Sequence, residues 1–127
     1  MATTGTPKCL LQGTLLANAA PADPGLYKVA AADATTYQAF RAVVHSITLC
    51  NTDTATHLVT LYLVASGGSV GVLNTIVKTL AVAAGGTLNL SNILTFPFVL
   101  ETGDFLSGFA DTGSVVSIRM DGEVVPV

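Results

Sequence analysis

Charge is what this sequence has least of. Five Lys/Arg and eight Asp/Glu are spread over 127 residues, 10% in all, where a soluble domain ordinarily carries about 25%. A freely diffusing monomer built this way has little charge to keep its surface hydrated and apart from other molecules. The scarcity points to a surface that faces other protein subunits. The five cations (Lys8, Lys28, Arg41, Lys78, Arg119) are scattered and the net charge is −3. No basic stripe exists to displace counterions from a phosphate backbone, so nucleic acid is not expected as a partner. Long apolar runs are missing too. Half of the residues are hydrophobic, yet none of the runs reaches the length of a membrane-spanning helix, and no membrane partner is expected.

Cysteine is scarce. Cys9 and Cys50 are too few for a disulfide framework, and both sit in apolar runs, where a free thiol behaves as a small hydrophobe. Buried thiols are the expectation, with a single bridge as the alternative. Residues 8–20 loosely imitate a signal peptide, ending near Ala17-Asn18-Ala19. Gln12, Gly13 and Thr14 interrupt the apolar stretch and the basic flank is one lysine, so the expectation is synthesis in the cytoplasm without a signal peptide.

What the chain does have is short apolar runs separated by turn residues at strand intervals. Strands are predicted near 9–17, 25–30, 39–50, 57–65, 74–82, 86–90, 96–100, 104–110 and 114–125. The breaks make chemical sense: Pro21–Gly25 stops ladder pairing, Asn51–Thr54 can bond its own backbone, and Gly67-Gly68, Gly85-Gly86 and Gly103 supply positive φ. In 114–125, Val116, Ile118 and Met120 alternate with Ser117, Arg119 and Asp121, as in a half-exposed strand. Segment 57–65 is apolar on both faces, Val59, Leu61 and Leu63 opposite Leu58, Tyr62 and Val64. In 39–50, Val43, His45, Ile47 and Leu49 oppose Val44, Ser46, Thr48 and Cys50. Only Ala30–Ala34 has helix propensity, without an amphipathic stripe, and it reads as a loop or a single turn. The expected fold is all-β: one antiparallel β-sandwich or jelly-roll-like domain of eight or nine short strands, with a closed barrel as the alternative. The N-terminal arm and first strand occupy 1–24 and the sandwich 25–127.

Few residues could carry chemistry. Gly67–Gly71 matches the G-x-S-x-G pattern of a hydrolase elbow around Ser69, but that elbow needs a following helix and a later histidine, and both His45 and His57 come earlier. His45 and His57 flank a turn with Asp53, but a zinc site needs further ligands, and Cys50 falls on the face opposite His45. Asp104, Asp111, Asp121 and Glu123 gather late in the chain without the close spacing of a calcium loop, and read as a surface rim. Asn89-Leu90-Ser91 is a formal glycosylation sequon. The aromatics lack tryptophan, so a carbohydrate platform is set below core packing; Phe105 and Phe109 share strand parity. No catalytic, cofactor or metal residue is assigned, and no enzyme activity or cofactor is expected.

From Leu26 onward the order of segments is familiar. Residues 26–64 carry a "LY-x-V" strand, then a long strand ending at Asn51, a polar turn and an apolar strand; 79–125 carry the Gly103-Asp104 turn and a final strand through Gly122-Glu123. This resembles small structural proteins of tailed-bacteriophage virions. Where those have Pro-Ala after the first strand, this chain has Ala30-Ala31, and residues 1–24 lie outside the likeness. The resemblance implies a non-enzymatic virion protein. Its expected role is capsid decoration (cement): a homotrimer seated on the major capsid protein lattice at the capsid surface, with Ala2–Pro24 reaching capsid or a neighbouring copy. The alternative is a tail, baseplate or fibre module acting in assembly or host-surface binding. For a trimer, subunit contacts should bury some of the apolar residues on the second faces of 39–50 or 57–65.

Overall fold

The computed structural model of the protein describes residues 6–32 and 34–127. Strands form where the apolar runs lie: β1 (Thr6–Leu15), β2 (Tyr27–Lys28), β3 (Phe40–Asn51), β4 (His57–Val64), β5 (Thr75–Val82), β6 (Thr87–Asn89), β7 (Phe98–Leu100), β8 (Phe105–Ala110) and β9 (Val116–Pro126). All pair antiparallel. The helical pieces among the described residues are two single 3-10 turns, Val72–Asn74 and Leu90–Asn92. Ala30, Ala31 and Ala32 are irregular and exposed, a turn spans 34–36, and the remaining residue of that alanine-rich stretch, Asp33, lies outside the described residues.

The strands make two sheets. One runs β1-β9-β3-β6, with β7 pairing the other half of β3; the second runs β2-β8-β4-β5. If β6 and β7 are taken as two halves of one interrupted strand, the pairings nest: β4 with β5, β3 with β6 and β7, β2 with β8, β1 with β9. The chain is one long hairpin wrapped over itself, closed by the β3–β9 and β4–β8 ladders. That is jelly-roll connectivity. The first strand of the expected arm is β1, an edge strand paired to β9 from Thr6 to Leu15; residues 1–5 lie outside the described residues.

The core fills the space between the sheets. From one side come Leu10, Ala42, Val44, Ile47, Leu49, Val116, Ile118 and Met120; from the other come Val59, Leu61, Val77, Val82, Leu106 and Ala110, all buried. Truncating such a side chain, Leu61→Ala for instance, costs about 2–5 kcal/mol in lost transfer and residual cavity.

Strict alternation along 39–50 does not survive. Val44 pairs with Gly122 and Ser46 with Asp121, so His45 bulges out of the ladder and the phase changes. Ala42 and Val44 point inward before it; Ile47, Leu49 and Asn51 do so after it. His45 is exposed and Val43 half-buried. Opposite the bulge, a Cβ on Gly122 would collide with the Val43 carbonyl oxygen, so only glycine permits this approach. β9 keeps its alternation, with Val116, Ile118 and Met120 inward as predicted.

Candidate functional site

The outer face of the second sheet is covered at one end and carries a groove at the other. Core-facing residues of β8 are Leu106, Gly108 and Ala110, which leaves Phe105, Ser107 and Phe109 on the outside. The shared parity of the two phenylalanines is therefore real, but it takes them away from the inter-sheet core. Phe105 is nonetheless fully buried. The segment after β1 crosses this end of the sheet: the Ser107 hydroxyl donates to the Pro21 carbonyl at 2.6 Å, and a Cβ on Gly25 would lie 2.7 Å from the Phe105 ring. Gly25 stands at φ +65°, where a side chain would be strained as well as crowded. One end of the second apolar face is thus covered by the chain's own N-terminal segment.

The other end is open. Phe109 lies opposite Thr60, two residues along β4 from Tyr62 and on the same face, and the Tyr62 and Phe109 rings are near-parallel, 20° apart with centroids at 6.4 Å. Thr60, Val70, Val72, Lys78 and Thr79 complete a groove of about 460 Å³ around them. Its far wall is built by a bulge in β5. Val59 pairs with Leu80 and Leu61 with Val77, so Lys78 and Thr79 together face the single residue Thr60. Both therefore turn outward. Thr79 sits at φ 47°, a left-handed conformation that a β-branched residue adopts only under constraint. Its amide is held by the Thr60 hydroxyl oxygen at 3.1 Å. The signal was present in sequence: Val77-Lys78-Thr79-Leu80 puts two polar residues between inward apolar ones, one more than alternation allows. A second, smaller cavity of about 190 Å³ opens among Leu63, Ile76, Leu94 and Phe98, and is apolar.

His57 begins β4 and is nearly buried, its side chain 9% exposed. Nδ1 donates to Asp111 Oδ1 at 2.8 Å and Nε2 donates to Asp53 Oδ2 at 2.7 Å. Two carboxylates accepting from both ring nitrogens require the imidazolium. The hydrogen bond to Asp53, then that to Asp111, raises the His57 pKa against the opposing effect of burial. Asp53 is lowered, first by His57 and then by the Thr54 amide. This is a structural clamp joining the β3–β4 turn to the β8–β9 loop. Both imidazole nitrogens are occupied, so neither is offered to a substrate.

The other sequence candidates disperse. His45 lies 3.4 Å from Glu123 on the outer side of the first sheet, whereas His57 belongs to the second. Ser69 is exposed in the β4–β5 loop, followed by a single 3-10 turn, and among the described residues it bonds neither histidine. No group of three or more His, Cys, Asp or Glu side chains among the described residues is arranged to hold a metal ion. The late acids each have separate structural work. Asp104 accepts from the amides of Ser66 and Glu101, both at 2.9 Å, Asp111 holds His57, and Asp121 lies 3.2 Å from Arg119. Asn89 caps the Leu90–Asn92 turn by accepting from the Ser91 amide. Cys9 and Cys50 are free thiols, half-buried instead of fully enclosed.

No family model, curated protein or solved structure matches this chain.

Proposed function

We propose that this protein is a non-enzymatic structural subunit of a virion, a decoration protein that associates as a homotrimer and seats on the major capsid protein lattice. One observation carries the reading. The adjacent side chains Val72 (88% exposed) and Leu73 (101%) project together from the β4–β5 loop, and Tyr37 (83%) stands exposed in the loop before β3, while the whole sequence holds only five cations and eight acids. An exposed apolar tip of this kind, without charge to separate copies, suits a molecule packed against protein there. The resemblance of residues 26–64 and 79–125 to phage virion proteins supports the particle, and jelly-roll connectivity, used by many capsid proteins, is consistent with it by analogy.

Sedimentation equilibrium of the full chain tests the oligomeric part. A trimer is expected at micromolar concentration, weakened by Leu73→Ser at the exposed β4–β5 tip; a monomer at all concentrations would count against self-association. The open Tyr62–Phe109 groove favours a second reading, a tail or fibre module that touches a host surface.

A further inference from the structure

We infer that the groove over β4, β5 and β8 is a binding site for an acidic saccharide, with Tyr62 and Phe109 as the stacking floor and Lys78 as the carboxylate anchor. Val72 belongs both to the groove and to the exposed apolar side chains offered to other subunits, so the inference requires the Tyr62–Phe109 floor to stay uncovered in the assembly.

Three features of the groove converge on this ligand. Its floor holds a stacked pair of near-parallel aromatic rings on adjacent strands, Tyr62 and Phe109, apolar groups of the kind that pack against the C–H face of a pyranose ring. Its volume of about 460 Å³ falls in the range of small-ligand sites, roughly 300–1,000 Å³. Its wall is hydroxyl-rich and carries one cation. Lys28 is paired with Asp23, Arg41 with Glu101 and Arg119 with Asp121. Of the cations whose side chains are described, Lys78 alone has no carboxylate or hydrogen-bond partner. An unpaired ammonium beside threonine hydroxyls and an aromatic floor complements a sugar that bears a carboxylate.

The backbone strain points the same way. Holding Thr79 at φ 47° costs on the order of 1–3 kcal/mol, and such strain persists where the surroundings impose it for a purpose. Here the bulge turns both Lys78 and Thr79 onto the groove side, where an unbroken strand would have turned one of them into the core. The same bulge interrupts the free edge of β5, so addition of a peptide strand is disfavoured there. A single lysine is too little to hold a polyphosphate chain.

The test uses the full chain and heteronuclear NMR titration with an oligogalacturonate, with maltohexaose as the neutral control. Oligogalacturonate should shift the amides of Thr60, Tyr62, Thr79 and Phe109 with saturable, sub-millimolar affinity that weakens as salt is added. Maltohexaose should bind at least about tenfold more weakly, as should oligogalacturonate to Lys78→Gln, a loss equal to about 1.4 kcal/mol. Lys78 is exposed, so that variant keeps the fold; Tyr62→Leu, which preserves apolar bulk, should also weaken binding. Silence of the groove amides, equal binding of the neutral sugar, or an unchanged Lys78→Gln would overturn the assignment. Shifts of the same amides on simple concentration, without sugar, would assign the groove to a second copy of the chain and overturn it equally.

Discussion

Asn51 and His57 hold the same turn by different chemistry. Asn51 is fully buried; its Nδ2 donates to the carbonyls of Ala55 and Val82, and its Oδ1 accepts from the Asp53 amide. Removing it orphans three backbone groups at about 1 kcal/mol each, so Asn51→Ala should lose about 3 kcal/mol in urea unfolding. A loss well under 1 kcal/mol would show the turn to be held otherwise. His57 makes the stability depend on pH. Its folded pKa is raised, so its contribution is complete below about pH 6.5 and fades as pH climbs through the folded value. Asp53 is lowered, so its share is present above about pH 4 and fades as pH falls through its folded value. Stability should therefore peak between those limits and decline on the alkaline side. His57→Gln should flatten that decline, and a wild-type curve that keeps rising from pH 6 to 9 would contradict the clamp.

Among the elements, bulges explain both what was legible and what was not. Every predicted strand has a counterpart, because turn residues such as Asn51–Thr54 and Gly85-Gly86 interrupt the apolar runs where the chain reverses. The faces were harder to read. Period-two reasoning fails after His45, where an unpaired residue shifts the phase, and fails to place Phe105 and Phe109, whose parity says nothing about which sheet face lies inward. The bulge in the groove's wall was legible in the polar pair Lys78-Thr79, but its floor joins β4 to β8, a juxtaposition that only the register supplies. The strain at Thr79 gives a further prediction. Asparagine tolerates φ near 50° far better than threonine, so Thr79→Asn should stabilise the fold by about 1 kcal/mol, raising Tm by about 3 °C. A lower Tm would mean that the threonine side chain contributes more than its backbone costs.

Taken whole, the molecule is a wrapped hairpin with a largely apolar core and a sequence poor in charge. The sandwich accounts for part of that poverty, since the segment around Pro21–Gly25 covers one end of the second sheet. Tyr37, Val72 and Leu73 remain outside any such cover. Contacts made by such groups are hydrophobic, so self-association should persist at about 1 M salt, where exposed ion pairs are screened within about 3 Å. Dissociation by salt would assign the contacts to charge instead. Decoration of a shell by this chain is decided by its copy number in purified virions, read against the major capsid protein by quantitative mass spectrometry. A decoration protein is expected in copies on the scale of the capsid lattice, comparable with the shell protein itself. A handful of copies per particle would contradict it.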